Sequence, residues 1–313
     1  MAFFVTGDCH GNFRRLKIFC NVHPYVSKED TMILLGDVGL NYHLNSIDTD
    51  NKKLLSTLPL TFLCVHGNHE QRPFNIDTYE VKEWRGGVVY YEPDFPDILF
   101  AKDGEIYDFN GKKGIVIGGA YSIDKEFRLR ATLPWFESEQ PNKEIKDYVE
   151  KQLGEQNWEV DYVFSHTCPY KYEPTELFME SIDQENVDKS TEKWMDEIES
   201  RLSYRKWYFG HYHANIKYAR MELLYEEIKE LDQIGFLQKI GRPQYRIGQT
   251  VYFNYDDGKE IHECYGKIQR VNKYGTKKIP NEVSYDIYGL DLENQTKQKV
   301  YVDVPDSKIE AVI

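Results

Sequence analysis

Five short polar motifs each follow a short apolar run, and this repeated order constrains the fold more than any other feature of the chain. The motifs are Gly7-Asp8-Cys9-His10, Gly36-Asp37, Gly67-Asn68-His69-Glu70, His166 and Gly210-His211-Tyr212-His213. The runs before them are residues 3–5, 32–35, 62–65, 162–164 and 207–209, rich in β-branched and aromatic residues. Such runs predict buried strands. The polar residues would then lie at strand ends, where active sites collect in open α/β sheets.

The residue types at these positions suit a pair of divalent cations. Two cations roughly 3.5 to 4 Å apart need a shared anionic ligand to offset their repulsion, and oxygen and imidazole donors to fill each shell. Asp37 is the predicted bridge. One shell would be completed by Asp8, His10 and His213, and the other by Asn68, His166 and His211. A water or hydroxide between the ions would have a lowered pKa and could attack phosphorus in line.

Each motif alone is weak evidence, because a single Gly-Asp or Asn-His pair is usually a turn. His211 and His213 would also alternate faces on a regular strand, so the chain must leave the strand there, as Gly210 allows. The interpretation that all the motifs are ordinary turns is less plausible, because five of the nine histidines fall in this one ordered series. The series as a whole therefore predicts a metal site.

The ordered series resembles the calcineurin-like metallophosphoesterase superfamily, whose pattern is Asp-x-His, Gly-Asp, Gly-Asn-His-Asp/Glu, His and Gly-His-x-His. The segment 118–125, with Arg128, Trp135 and Glu139 after it, is similar to a bacterial and phage branch of that superfamily. The resemblance covers about residues 1 to 230. It implies an α/β four-layer sandwich, with two mixed sheets between helices and the metals at one edge.

The superfamily's Ser/Thr phosphoprotein phosphatases carry an Asp-Arg pair shortly after the bridging aspartate, where this chain has Leu40 and Asn41. That departure argues against a phosphoprotein substrate. Candidate replacements for phosphate contact are Arg128, Arg72 and Lys125, although for each of them a solvated surface charge is the favoured interpretation. For His69 the resemblance implies a general acid beside the leaving group, a role suited to an imidazole. The competing interpretation is a structural histidine.

Cysteine use and hydropathy predict a cytoplasmic protein. The five cysteines are odd in number and contain no Cys-x-x-Cys pair, which argues against a disulfide framework and a zinc knuckle. The apolar run before Asp8 is too short for a signal peptide, and no later run approaches a membrane span. We therefore expect a reducing compartment and no membrane contact.

Negative charge is concentrated in one stretch of a chain whose net charge is -13. Residues 173–199 hold ten acidic residues against Lys189 and Lys193. A helical pattern near Trp194, Met195 and Ile198 predicts a solvated lobe beside His166. Such a lobe would repel long polyanions, so a large nucleic acid is disfavoured as substrate.

The order of predicted elements is α/β through the first part of the chain. Helices are predicted over residues 13–20, 45–57 and 142–153. Short strands at 88–91, 98–101, 105–109 and 114–117 are predicted to form the second sheet. Residues 217–227 are predicted to be a strand, although Leu224, Ile228 and Leu231 also fit a helix.

The pattern changes to short strands without helices near Gly241, which predicts two domains, a catalytic domain over residues 1–238 and a small β domain over 241–313. Strands at 250–255, 266–271, 283–289 and 299–304 alternate with turns at 257–258, 274–275 and 293–294. This spacing predicts an SH3-like or Tudor-like barrel. Its many tyrosines and balanced charge favour a protein partner, while an extension packed on the catalytic domain is the alternative.

The sequence thus predicts a dinuclear metal-dependent phosphoesterase that uses a metal-bridging hydroxide, with a phosphomonoester substrate. One alternative is a phosphodiesterase acting on a cyclic nucleotide or a nucleic acid end, and another is a non-catalytic binding protein of the same fold. Manganese is the expected metal, and iron, zinc, cobalt and nickel accept the same donors.

Overall fold

Short strands and helices alternate over residues 3–64, and runs of consecutive strands occur further along the chain. The computed structural model describes residues 1–24, 26–231, 244–272, 276, 278–279, 282–292 and 298–312. The helices are α1 (Arg14–Val22), α2 (Ser46–Ser56), α3 (Lys125–Arg130), α4 (Lys143–Glu155) and α5 (Ser190–Arg201). Side chains cap two of them: Asn45 accepts from the Ile47 amide, and Asn142 accepts from the Ile145 amide. Because these caps satisfy free backbone N–H groups, they fix where α2 and α4 begin.

Seven strands form the first sheet. They are β1 (Phe3–Thr6), β2 (Thr31–Leu34), β3 (Thr61–Cys64), β4 (Glu80–Trp84), β5 (Gly87–Tyr91), β6 (Ile98–Ala101) and a short strand at Lys229–Glu230, in the order Lys229–Glu230, β1, β2, β3, β6, β5, β4. The central strands are parallel and fully buried, as expected for a sheet covered on both faces. The prediction that residues 88–91 and 98–101 join the second sheet is wrong, because β5 and β6 pair with each other and β6 pairs with β3.

The second sheet contains six strands, also mixed in direction. They are β7 (Ile106–Asp108), β8 (Lys113–Ile117), β9 (Glu159–Ser165), β10 (Ser203–Phe209), β11 (Ile216–Lys217) and β12 (Met221–Leu223), in the order β11, β12, β10, β9, β8, β7. The prediction of one strand over residues 217–227 is only partly confirmed, because the chain forms a short hairpin of β11 and β12 there and residues 224–227 are not in a strand. Counted along the chain, Lys229–Glu230 is β13.

Aromatic side chains join the two sheets. The ring of Phe3 in β1 meets the ring of Phe109 with centroids 5.1 Å apart, and Phe109 meets Phe164 of β9 at 5.2 Å. Such edge and tilted contacts are favourable packing geometries for aromatic rings. The arrangement is a mixed α/β fold consistent with the predicted sandwich.

Helix α5 forms part of the core of the second sheet. Trp194, Met195 and Ile198 are buried in one cluster with Trp207 of β10 and Val149 of α4. The prediction of a solvated lobe is therefore wrong for this helix, whose apolar face is covered. The acidic residues between His166 and α5 lie on loops and short 3-10 turns at residues 170–172, 175–177 and 184–186.

A third, antiparallel sheet follows. Its strands are β14 (Thr250–Asp256), β15 (Ile261–Asn272), β16 (Ser284–Asp291), β17 (Lys299–Pro305) and β18 (Ile309–Val312), in the order β17, β16, β15, β14, β18. In the described residues the sheet is open, with β17 and β18 at its edges, so the predicted closed barrel is not confirmed. Its own core includes Phe253, Ile268, Tyr285 and Ile287.

The chain divides into two compact units. One comprises Met1–Lys17 and Ser27–Lys229, and the other Ile18–Val26 and Glu230–Ile313. The predicted boundary at residues 238–241 and the turns at 274–275 and 293–294 lie outside the described residues. None of the helices that the structure describes is long and apolar enough to cross a membrane.

Candidate metal centre

The carboxyl ends of five strands bring the polar motifs together. Asp8 follows β1, Asp37 follows β2 and Asn68 follows β3, all in the first sheet, whereas His166 follows β9 and His211 follows β10 in the second. Because parallel strands end at the same sheet edge, three motifs meet there, and the packing of the two sheets adds the other two.

One group of candidate ligands contains Asp8, His10 and His213, whose ligand atoms all lie within 4.8 Å of one another. The Nε2 atoms of His10 and His213 are 2.9 Å apart. Asp8 Oδ2 lies 3.3 Å from His213 Nε2 and 3.8 Å from His10 Nε2. Two imidazole nitrogens and a carboxylate this close fit a shared cation.

A second group contains Asp8, Asp37 and His166. His166 Nδ1 lies 2.7 Å from the carbonyl oxygen of Leu35, which can only accept, so Nδ1 carries the proton and Nε2 offers a lone pair. That lone pair faces Asn68 Oδ1 at 2.8 Å and Asp37 Oδ2 at 3.6 Å. Three acceptors thus face one another without a donor, which fits a bound metal ion.

Asp8 is the residue common to both groups. Its Oδ1 accepts a hydrogen bond from the His211 amide at 2.9 Å. Its Oδ2 is buried and has no hydrogen-bond donor among the described residues. An ionised oxygen buried in this way is unfavourable unless a cation compensates it. The bridging role of Asp37 stays a prediction.

Four of the predicted ligands have left-handed backbone conformations. The φ values are 47° at His10, 46° at Asp37, 70° at His211 and 51° at His213. Non-glycine residues adopt this region rarely, at a cost of order 1–3 kcal/mol each, and they cluster at functional sites. The two histidines after β10 lie beyond the strand's last residue, Phe209, so the strict alternation of a strand does not separate them.

Glycines in the motifs permit close approach of the loops. A Cβ on Gly67 would lie 2.0 Å from Asp37 Oδ1, and a Cβ on Gly210 would lie 2.3 Å from Asp8 Oδ1. Both distances are far inside van der Waals contact. Any side chain at these positions would displace a carboxylate of the site.

Burial and charge set the protonation of the centre. Burial opposes ionisation of Asp8, but the proximity of His213 and of the other histidines of the centre outweighs it and lowers its pKa. Burial and the charge of Asp8 raise the pKa of Asp37 well above its usual value. Burial lowers the pKa of His10 and His211, which keeps both rings neutral. Neutral imidazole is the form that binds metals.

His69 lies beside the centre and outside both groups of ligands. Its amide donates to Asp37 Oδ1 at 2.8 Å, and its side chain lines the clefts on both sides of the site. Burial, and then the charge of Arg128, lower its pKa to about 3. His69 is therefore neutral in the free protein near neutral pH.

Arg128 reaches the same cleft as His69. Its Nη2 is 3.4 Å from His69 Nε2. Its Nε donates to both oxygens of Asp124 at 2.8 Å, and its Nη1 donates to Tyr42 OH at 2.9 Å. Tyr42 and Asp124 are not among the predicted site residues, although the i, i+4 spacing of Asp124 and Arg128 is a signal present in the sequence.

The other two predicted phosphate contacts do not line these clefts. Arg72 is buried, with an ion pair to Asp103 and a hydrogen bond from Nε to Ser138 O at 2.8 Å. Lys125 places its Nζ 4.2 Å from the centre of the Trp135 ring. Of the three, Arg128 alone lies beside His69.

Two further side chains hold the loops in place. Glu70 is fully buried and accepts hydrogen bonds from the amides of Gly39 at 3.0 Å and Gly67 at 3.4 Å. Burial, and then the charge of Asp37, raise its pKa to about 8. Ser122 Oγ accepts from Asn68 Nδ2 at 2.9 Å, which leaves Asn68 Oδ1 facing His166. Ser122 is not among the predicted site residues.

The chain belongs to the calcineurin-like phosphoesterase family, whose sequence pattern matches residues 1–215. This confirms the family resemblance carried by the five motifs. The family consists in general of metal-dependent hydrolases of phosphoesters. The branch within it stays a prediction.

Several solved structures resemble this one at low similarity. A protein of unknown function, AQ665, from Aquifex aeolicus has 15% identity and a TM-score of 0.29, over 55% of this chain and 81% of that one. The phosphopantetheinyl hydrolase PptH of Mycobacterium tuberculosis has 12% identity and a TM-score of 0.35, over 79% and 98%. Vps29 of Chaetomium thermophilum has 12% identity and a TM-score of 0.22, over 96% and 95%. No curated protein matches the sequence.

Proposed function

We propose that the protein is a dinuclear metal-dependent phosphomonoesterase. One observation carries the proposal: among the described residues, acceptor atoms from four separate strand ends, those of Asp8, Asp37, Asn68 and His166, face one another without intervening donors. Asp8 Oδ2 has no hydrogen-bond donor in the described residues, and His166 Nε2 points its lone pair at two oxygens. A scaffold without metals would gain nothing from this costly arrangement.

The proposed ligands divide into two sets. Asp8, His10 and His213 would hold one ion, Asn68, His166 and His211 the other, and Asp37 would bind both. Two such ions, when bound, lower the pKa of a water between them and supply a nucleophile near neutral pH. Manganese remains the proposed metal.

Arg128 is proposed to bind the phosphate. Asp124 and Tyr42 fix two of its nitrogens, so Nη2 is presented toward the cleft in one orientation. A guanidinium fixed in this way donates to phosphate oxygens with little loss of side-chain entropy. This arrangement supports a compact phosphate group as substrate.

His69 is proposed to protonate the leaving group. In the free protein Arg128 disfavours the charged imidazole. A bound phosphate dianion would offset that positive charge and raise the pKa of His69 toward the range needed of a general acid. Substrate binding would thus place the proton on His69 when it is needed.

Hydrolysis assays with two substrates test the function. The protein is freed of metal by chelation and assayed with nitrophenyl phosphate and bis-nitrophenyl phosphate, with and without added manganese. Manganese-dependent turnover with a higher kcat/KM for the monoester supports the proposal. A higher kcat/KM for the diester would assign the phosphodiesterase alternative instead. Absence of turnover with any of the five candidate metals, in protein shown to bind them, would make it a binding protein.

The proposal also includes a cellular compartment and a binding partner. All five cysteines lie among the described residues, are buried and form no disulfide with one another, which supports the cytoplasmic assignment. On the third sheet Tyr252, Ile261 and Tyr288 are exposed. Exposed aromatic and aliphatic side chains on a unit of balanced charge support a protein partner for residues 241–313.

A further inference from the structure

A cavity of about 370 Å³ opens beside the metal centre. One side is formed by residues of the centre, including Asp37, His69 and His211. The other side is formed by the acidic stretch between His166 and α5. A ligand in this cavity would therefore lie next to the proposed general acid.

Part of the far wall is apolar. Leu177, Phe178, Met179 and Val187 line it. The Phe178 ring stacks on Tyr212 with centroids 6.2 Å apart, and Lys189 Nζ lies 4.6 Å from the Phe178 ring centre. This wall suits the carbon chain of an alcohol, which would lose water contact on binding.

Two acceptor atoms in the same wall have no hydrogen-bond donor among the described residues. They are Glu192 Oε2 and Gln184 Oε1, and both atoms are buried. Glu192 is 3% exposed, and its other oxygen accepts from Thr167 Oγ1 at 2.9 Å. Buried acceptors without a donor are unfavourable, so they mark where a ligand's donor groups would bind.

The remaining charges of the wall are compensated within the protein. Lys189 Nζ binds Glu173 Oε1 at 2.7 Å, and Arg128 binds Asp124. Asp188 accepts from the Ser190 amide at 2.9 Å. No basic side chain lies within ion-pair distance of Glu192 in the part of the chain that the structure describes. An anionic leaving group would meet an uncompensated carboxylate here.

From these contacts we infer that the cavity binds the alcohol part of the substrate, and that this alcohol is a non-anionic chain ending in an ammonium group that binds Glu192 and Gln184. The inference rests on the proposed function and narrows it to phosphomonoesters of amino alcohols. Glu192 and Gln184 act as specificity residues.

Matched substrates and analogues test the inference. The manganese-loaded protein is given alkyl phosphates of two to six carbons that end in an ammonium, a methyl or a carboxylate group. We expect kcat/KM for the ammonium series to exceed that of the methyl series by roughly tenfold or more at the best chain length, because a hydrogen bond to a charged group is involved. The carboxylate series should be poorest.

Variants then test which residues cause the preference for substrates that end in an ammonium group. Glu192→Gln and, separately, Gln184→Ala should reduce the ammonium-to-methyl ratio, the former to roughly threefold or less. Glu185→Gln is the matched control, because Glu185 is exposed on the same 3-10 turn and does not line the cavity. The ratio of kcat/KM for the ammonium series to that for the methyl series should be the same in Glu185→Gln as in the unaltered protein.

Calorimetric binding of the corresponding non-hydrolysable phosphonates separates this inference from the proposed function. Turnover of nitrophenyl phosphate with no ammonium preference would leave the proposed function standing and overturn the inference. If no phosphate ester is turned over, the phosphonates still decide: tighter binding of the ammonium series that is lost in Glu192→Gln supports the cavity's assignment, and equal binding of all three series overturns it.

Discussion

The Nε2 atoms of His10 and His213 lie 2.9 Å apart, although 203 positions separate the two residues along the chain. His10 follows a strand of the first sheet and His213 follows a strand of the second. The pair therefore forms only when the two sheets pack together. Metal binding and folding of this unit should be coupled, since an ion held by both residues joins the two sheets.

Asp37→Ala should abolish turnover and the binding of one of the two metals. Asp37 Oδ2 faces His166 Nε2, and Asp37 Oδ1 accepts a hydrogen bond from the His69 amide. Loss of this carboxylate should therefore remove negative charge from the centre and weaken the anchoring of the His69 loop. Elemental analysis and turnover measure the result. Asp50→Ala, which alters an exposed carboxylate of α2, is the control. Two retained metals with near-normal turnover would refute the assignment.

His69→Ala should keep both metals and lower turnover by roughly 10² to 10⁴, the range expected for loss of a general acid. The loss should be smaller for nitrophenyl phosphate than for an alkyl phosphate, because nitrophenolate leaves without protonation. Turnover of both esters and metal content are measured together. An equal loss for the two esters would make His69 a binding or structural residue.

Arg128→Gln should lower kcat/KM for phosphomonoesters by roughly 10- to 100-fold, the value of one or two charge-assisted hydrogen bonds. Metal content should not change, because Arg128 contacts no proposed ligand. Arg130→Gln is the control from the same helix, since its side chain is 81% exposed. Equal kinetics for the two variants would exclude Arg128 from phosphate binding.

Glu192→Gln should stabilise the protein above neutral pH. Burial raises the pKa of Glu192 to about 7 from its ordinary 4.5. Between these values the folded state holds a proton that the unfolded state has lost, so the folded state loses stability as the pH rises through this window. The full difference corresponds to roughly 3 kcal/mol. Thermal melts at matched metal should show a higher Tm for the variant at pH 8.5 and equal Tm at pH 4.5.

Truncation after residue 238 should leave a metal-loaded protein that hydrolyses a small aryl phosphate, because the last predicted ligand is His213. If the removed residues form a separate binding module, the melting temperature of the remaining protein should not change. A packed extension would expose apolar surface when removed, and the truncated chain would aggregate or melt at a clearly lower temperature. Thermal melts of both chains at matched metal decide between these cases.

Local sequence was enough to predict the strands that end at the metal centre. Residues 32–35 and 62–65 are apolar runs of strand length, and in the structure β2 and β3 lie one residue earlier, at Thr31–Leu34 and Thr61–Cys64. Helix α4 lies within a predictable segment, because its apolar spacing is local and the Asn142 cap, seen in the structure, is a local contact too. These features depend on neighbours in sequence, so pattern alone identifies them.

Pairing between strands was not predictable in the same way. Residues 88–91 and 98–101 are strands as expected, but they join the first sheet through β6 and β3. Their sequences are suited to either sheet, because strand propensity does not specify a partner. The choice depends on contacts with segments remote in sequence, here the parallel pairing of β6 with β3.

The sequence by itself determined the family, the residue types of the centre and the strands that carry them. Tertiary structure alone decided which basic side chains lie beside the centre. Asp124 and Tyr42 position Arg128 next to His69, whereas Arg72 forms an ion pair with Asp103 instead. Tertiary structure also decided that Glu192 and Gln184 have buried acceptor atoms without donors among the residues that the structure describes. The sequence gives the type and charge of each side chain. Its hydrogen-bond and ion-pair partners and its burial are fixed only when segments remote in sequence pack together.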